Sequence, residues 1–242
     1  MFAIDINNIT KRYGDVIAVD NLSLKIEQGE LFALLGVNGA GKTTTIKILS
    51  CLTKADSGDA EILGESINKN PGKVKQFIGV SPQETAIAQG LSVKENLELI
   101  CGIYGFSKAI TAQKIAELSQ MLSLEEVLNK KASKLSGGYA RRLSIALALI
   151  SEPKVLFLDE PTLGLDVIAR SELWDIIRSL KGKVTIILTT HYMEEAEALS
   201  SRIAIMKSGK LLICDSPENI RSQTEEDSIE KAFIKLVRGI KE

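Results

Sequence analysis

The run Gly36-Val37-Asn38-Gly39-Ala40-Gly41-Lys42-Thr43-Thr44 limits the fold more than any other stretch of this 242-residue chain. It matches G-x-x-x-x-G-K-[ST], a pattern that works only between a buried strand and the start of a helix. Both neighbours are present. Leu31 to Leu35 is uninterrupted apolar, as in a strand buried on both faces of a mostly parallel sheet, and residues 42–52 read as a helix. Glycines let the backbone wrap phosphates with several N–H groups aimed inward, and the helix N-terminus adds positive potential. In such a loop the lysine, here Lys42, reaches the β- and γ-phosphates, and the hydroxyl, here that of Thr43, ligates Mg2+. The expected ligand is a nucleoside triphosphate.

A second pattern supplies carboxylates. Val155 to Leu158 reads as an apolar strand that ends in Asp159 and Glu160. Charge placed there lies at the carboxyl edge of the sheet, where open α/β folds bind ligands. Asp159 is the candidate for the Mg2+ shell and Glu160 for a general base acting on water. A third, Leu135-Ser136-Gly137-Gly138-Tyr139, offers small residues and a helix start to another anion; alone it would read as an ordinary N-capped turn. His191, the one histidine, follows the next expected strand and could donate to a γ-phosphate.

The remaining segments frame these motifs. Ile4, Ile6 and Ile9, then Leu22, Leu24 and Ile26, alternate as strands do, and Gly29-Glu30 marks a turn. Residues 84–150 read as mostly helical, with a capping box at Ser92 to Glu95 and an apolar helical run from Ser144 to Ser151 that Pro153 ends. Strand and helix then alternate: helix 168–180, strand 184–189, helix 192–200, and a hairpin of 203–206 with 211–213 across Ser208-Gly209. Trp174 shares an apolar helix face with Leu173, Ile176 and Ile177 and reads as core. In the charged tail, Ile229, Phe233, Ile234 and Val237 fall at helical spacing.

Composition narrows the function. Thirty lysines and arginines against 31 acids leave a net charge of −1, which gives no support to a nucleic-acid partner. The short cluster Lys130, Lys131 and Lys134 reads as solvated surface. Three scattered cysteines, with no C-x-x-C, point to a reducing cytosol and away from a disulfide framework or zinc site. The first residues lack the apolar core of a secretory signal, and no apolar stretch is long enough to cross a bilayer. A membrane role would need a partner.

Loop, Ser-Gly-Gly turn and Asp-Glu strand, in this order, resemble the nucleotide-binding domain of ATP-binding-cassette proteins. Tyr13 resembles the aromatic that stacks on adenine, Gln83 the Q-loop glutamine, Leu163-Gly164-Leu165-Asp166 the D-loop, and His191 the switch histidine. The resemblance covers essentially the whole chain. It implies a P-loop NTPase α/β fold with a mostly parallel core sheet, an N-terminal antiparallel β subdomain and an inserted helical subdomain. The core would comprise 1–83 and 152–215, the helical subdomain 84–151 and a helical tail 216–242. It further implies ATP and Mg2+ as ligands. Gly36, Asn38, Gly39, Ala40, Gly41, Lys42, Thr43 and Thr44 would cradle the nucleotide, with Thr43, Gln83 and Asp159 at the metal. Glu160, His191, Lys42 and Gln83 would act in hydrolysis. Ser136, Gly137 and Gly138 would meet the ATP of a second copy, head to tail, with Asp166 communicating across that interface. The implied setting is the cytoplasmic face of a membrane, against a separate permease.

One departure stands out. The family's signature usually ends in glutamine, and here Tyr139 takes that place while Ser136 and Gly138 remain. The stretches Glu160 to Asp166, Thr190 to Glu197 and Ser228 to Phe233 resemble the drug- and antibiotic-efflux branch, which favours export over import. Three other readings remain. A P-loop small-molecule kinase would leave residues 135–139, Gln83 and His191 unexplained. A soluble cassette ATPase of chromosome maintenance or translation would carry a coiled-coil insertion or a second cassette. A purely structural nucleotide module would have no use for Glu160 and His191.

Overall fold

The computed structural model describes residues 1–239; the last part of the expected tail, 240–242, lies outside the described residues. The chain opens with β1 (Phe2–Tyr13), β2 (Val16–Glu27) and β3 (Leu31–Gly36), followed by α1 (Lys42–Leu49), β4 (Ser57–Ile62) and β5 (Glu65–Ser66). Next come α2 (Pro71–Phe77), β6 (Ile78–Ser81), α3 (Val93–Ile103), α4 (Lys108–Met121) and α5 (Gly137–Leu149). The remainder alternates through β7 (Val155–Asp159), α6 (Val167–Leu180), β8 (Thr185–Thr190), α7 (Met193–Leu199), β9 (Arg202–Lys207) and β10 (Lys210–Asp215), ending in α8 (Pro217–Thr224) and α9 (Ile229–Gly239).

Two sheets form. The larger runs β10-β9-β3-β8-β7-β6 and is parallel except for the β9–β10 hairpin. The smaller, antiparallel one runs β2-β1-β4-β5. β3 is apolar at every position and β7 at all but its last, because both of their faces are covered. In β3, Leu31, Ala33 and Leu35 enter the core shared with the helices of residues 93–149 and the C-terminal half, whereas Phe32 and Leu34 enter the core shared with the small sheet and α1. β7 divides in the same way, Leu156 and Leu158 against Val155 and Phe157. The sheet is thus clamped between two hydrophobic layers, which fixes its carboxyl edge, the edge that carries the polar motifs.

Local chemistry explains where elements bend and stop. The change of phase between Ile6 and Ile9 in β1 is a bulge at Asn8, whose φ of 51° is left-handed. The expected helix at 42–52 ends at Leu49, since Cys51 adopts a φ of 56°. The apolar run at 144–151 is the end of a longer helix that starts at Gly137, N-capped by Ser136. Ser92 and Glu95 form the expected capping box on α3. In the β9–β10 hairpin Ser208 and Gly209 both have positive φ, as a two-residue I′ turn requires. The tail is broken into two helices by Glu225 at φ 57°. Ile229 and Phe233 are buried there, while Ile234 is exposed rather than part of the packed face. Trp174 is half-buried against the core rather than inside it. Its indole N–H donates to Glu195 Oε1 at 3.1 Å, and Arg170 and Arg178 lie over its ring. Lys130, Lys131 and Lys134 are exposed. Among the described residues, no helix is long and apolar enough to cross a membrane.

Candidate functional site

The site is built where β3 turns into α1. Gly39 and Gly41 take φ values of 81° and 102°, which curls the backbone into a concave loop. No side chain fits at Gly41: a Cβ there would lie 2.3 Å from the carbonyl oxygen of Ala18 on β2. The loop bounds an open cleft of about 510 Å³. Asn38, Gly39, Ala40, Gly41, Lys42, Thr43 and Thr44 line it, together with Gln83, Glu160 and His191 from three other loops. Val16, Ala18 and Leu163 complete the wall. Residues far apart in sequence and singled out for phosphate chemistry therefore share one cavity.

Lys42 is 5% exposed, and its Nζ donates to the carbonyl oxygens of Gly36 (2.7 Å) and Val37 (3.2 Å). Glu160 Oε1 lies 3.5 Å from the same Nζ. Burial pulls the Lys42 ammonium below its usual pKa, and the Glu160 carboxylate opposes that shift. Glu160 itself is buried and sits at φ 48°, a conformation that costs an ordinary residue roughly 1–2 kcal/mol. Its backbone N–H is anchored on Thr189, to the carbonyl oxygen at 3.1 Å and to Oγ1 at 3.0 Å. His191 Nδ1 lies 3.2 Å from Glu160 Oε2. The approach lacks hydrogen-bond geometry, and Nδ1 has no hydrogen-bond partner among the described residues. A turn in which the Tyr192 N–H donates to Thr190 Oγ1 (2.9 Å) sets the direction of the His191 loop.

Asp159 does not line the cleft but lies just beneath it, 4% exposed, accepting from Thr43 Oγ1 at 3.1 Å and Thr189 Oγ1 at 2.5 Å. Thr43 and Asp159 together are a pair of hard oxygen donors at the edge of a phosphate cradle. That suits Mg2+, which is held by few protein ligands with phosphates and water completing its shell. Among the described residues no cluster of three or more histidine, cysteine or acidic ligands occurs.

Besides Asp159, six expected residues do not line the cleft; one of them, Gly36, sits just behind it with its carbonyl oxygen on Lys42 Nζ, and the other five are Tyr13, Ser136, Gly137, Gly138 and Asp166. Tyr13 stands half-exposed at the end of β1, across the hairpin from Val16 at the cleft mouth. Ser136, Gly137 and Gly138 line no part of it. They form the start of α5, where Ser136 Oγ accepts the Tyr139 N–H at 3.4 Å. A Cβ on Gly138 would lie 3.2 Å from Ala169 of α6, so the turn packs closely on the segment after Asp166. Asp166 N-caps α6, its Oδ1 accepting from the N–H groups of Ile168 and Ala169 at 2.9 Å each. Two residues given no role from sequence emerge here. Thr189 holds both carboxylate positions, and Arg141 of α5 binds the Gln83 loop. Neither is announced by a local pattern.

A mostly parallel sheet with a glycine-rich phosphate loop after a central strand and acids after the next-but-one strand defines a P-loop nucleotide-binding protein, here with a helical segment between β6 and β7. The sequence profile described as "ABC transporter" matches residues 19–163, more than half of the chain, and the chain belongs to that family. It is 37% identical over 240 residues to the "Probable multidrug ABC transporter ATP-binding protein YbhF" of Escherichia coli (strain K12). That match covers 97% of this chain and 41% of the relative, so the chain spans less than half of that protein's length. It is 42% identical over 216 residues to "Nod factor export ATP-binding protein I" of Burkholderia orbicola (strain AU 1054), covering 88% of this chain and 71% of that one. Among solved structures, the dimeric post-hydrolysis state of the ATP-binding cassette MJ0796 bound to ADP and Pi matches with a TM-score of 0.79 and 28% identity, over 88% of this chain and 98% of the other.

Proposed function

We propose that this chain is the ATP-hydrolysing subunit of an exporter, working as a head-to-tail pair beneath a separate membrane permease. The observation that carries the reading is the convergence of Lys42, Glu160 and His191 on one phosphate-shaped cleft. Export, rather than import, is supported by relatives named for multidrug transport and Nod factor export. Pairing is supported by the dimeric cassette with ADP and Pi, and by a second anion-binding turn at Ser136 to Gly138 that lines no part of this chain's own cleft. In this reading the core is 1–83 with 152–215, the helical part 84–151 and the tail 216–242. The protein sits on the cytoplasmic face of the membrane.

The residues take the following parts. The N–H groups of the 36–44 loop and the Lys42 ammonium hold the β- and γ-phosphates. Thr43, Asp159 and Gln83 would hold Mg2+, which neutralises charge on the phosphates when bound. Glu160 accepts the proton of the attacking water as its oxygen bonds to the γ-phosphorus and the bond to the departing ADP oxygen breaks. His191 donates to the γ-phosphoryl oxygens, and Ser136 and Gly138 of the second copy close the far side. Tyr13 stacks on the base, and Asp166 reports across the interface.

The test is the size of Glu160→Gln protein by light scattering, with and without MgATP, beside the turnover rate of the unmodified chain. ATP-dependent passage from monomer to dimer, with turnover abolished by the substitution, is expected. Wild-type turnover by Glu160→Gln sinks the base assignment. Transfer of phosphate to a small molecule in place of water would restore the kinase reading.

A further inference from the structure

Arg141 lies five residues beyond Ser136 on α5, about 7.5 Å further along the helix at 1.5 Å per residue. It is 5% exposed. Its neighbour Arg142 pairs with Glu172 of α6. Arg141 instead directs both terminal amino groups to main-chain oxygens: Nη1 to Pro82 at 2.7 Å and Nη2 to Gln83 at 2.8 Å. The acids that support its charge, Asp159, Glu160 and Glu195, act at longer range. The two carbonyls belong to a segment without regular secondary structure, so the sheet gives them no partner and the guanidinium fork satisfies them. A planar fork on two consecutive carbonyls fixes the peptide's orientation, which a single ammonium does not. A second tie runs alongside, Ser81 Oγ and Ser144 Oγ being 2.8 Å apart in the buried contact between β6 and α5.

One end of this connection is Gln83, which lines the cleft. The other is the start of α5, where Ser136 caps the helix and Gly137 and Gly138 form its first turn. We propose that Arg141 is a positioning residue that fastens the Gln83 loop to α5, so that occupancy of this chain's own cleft sets where its Ser136–Gly138 turn stands. The idea rests on the paired-ATPase reading and deepens it. A nucleoside triphosphate that draws in the Gln83 side chain moves the 82–83 backbone. Through the fork it moves the whole of α5, a rigid lever whose far end is offered to the second copy. Each cleft thereby prepares the turn used by the opposite one.

The test compares Glu160→Gln with Glu160→Gln/Arg141→Lys, which keeps charge and stem but loses the fork. At saturating MgATP the protein concentration for half-pairing should rise at least about tenfold, while ATP affinity by calorimetry stays within about twofold. Equal pairing by the two proteins overturns the proposal. So does a parallel fall in ATP affinity and melting temperature, which would make Arg141 a residue of the fold alone. Hydrogen exchange on the unmodified chain needs no variant: MgATP should change protection of residues 82–86 and 136–142 together. A change confined to 82–86 also overturns the proposal. If Glu160→Gln never pairs, the dimer reading fails, and the exchange measurement still decides the role of Arg141.

Discussion

The Thr189 hydroxyl donates to Asp159 Oδ1 at 2.5 Å and accepts the backbone N–H of Glu160 at 3.0 Å, so one buried side chain sets two consecutive acids. Thr189 ends the parallel ladder beside Asp159, its Cα partner on β7. Glu160 then leaves the sheet in a left-handed conformation that this contact holds in place. Thr189→Val keeps the shape and removes the hydroxyl. Its stability cost should be only about 1 kcal/mol, because the Glu160 N–H retains the Thr189 carbonyl at 3.1 Å. Turnover should fall by at least about tenfold through misplacement of both carboxylates, with Thr189→Ser restoring most of it. Thermal melts beside steady-state turnover measure the two effects, and wild-type turnover in Thr189→Val would contradict the assignment.

Lys42 and Glu160 face each other across 3.5 Å, both largely buried. Burial lowers the lysine pKa, and the carboxylate raises it in return. Glu160→Gln removes the counter-charge and leaves the burial. The Lys42 amine in that variant should therefore titrate at lower pH than in the unmodified chain, read from the side-chain carbon shift of labelled lysine without nucleotide. An unchanged midpoint would show that the two groups are not coupled.

Tyr139 replaces the usual glutamine, and its surroundings explain how the chain accommodates it. Its hydroxyl donates to Glu126, its ring lies 5.3 Å below the Arg142 guanidinium, and Arg142 pairs with Glu172. These contacts join the 125–127 turn, α5 and α6 on the outside of the signature. The Ser136 cap uses only the Tyr139 backbone N–H. Tyr139→Gln should accordingly leave turnover within about threefold, a difference below 1 kcal/mol. Tyr139→Phe should lower the melting temperature slightly, by the loss of one partly solvated bond worth about 1 kcal/mol or less. A tenfold loss of turnover in Tyr139→Gln would mean that the ring itself serves the site.

Much of the nucleotide cleft is legible in the sequence because its parts are short and local. The 36–44 loop and the strand ending in Asp159-Glu160 each encode their geometry within a few residues, as does the capped start of α5 outside the cleft. Residues 57–81 are harder to read. β4 is polar at half its positions, β5 has two residues and α2 seven, so neither period establishes itself. The Ser136 turn shows that two readings need not compete, since the same serine caps a helix and leaves glycines free at its start. Arg141 and Thr189 are invisible for another reason. Their partners lie 58 and 30 residues away, brought close by the packing of α5 on β6 and of β8 on β7.

Glu195 carries the last prediction, because it is an acid with no exposure at all. It lies on α7, one turn beyond His191. Its Oε1 accepts from Thr162 Oγ1 at 2.8 Å and Trp174 Nε1 at 3.1 Å, tying the loop after Glu160 to α6 and α7, while Oε2 has no partner among the described residues. Burial pushes its carboxyl above the usual range, against the pull of its hydrogen-bond donors and of the Arg170 guanidinium. The folded state then keeps the proton after the unfolded chain has lost it near pH 4.3, so above that pH folding works against ionisation. This residue's contribution is most favourable below about pH 4.3 and declines as pH rises through the folded-state value, by at most about 1.4 kcal/mol per pH unit. Glu195→Gln keeps the Oε1 acceptor and cannot ionise. Melting temperatures of the two proteins should be most alike below about pH 4.3, with the glutamine variant gaining on the parent across the range above that value. A gap that stays constant across that range would mean that Glu195 is charged in the folded protein, with Arg170 outweighing its burial.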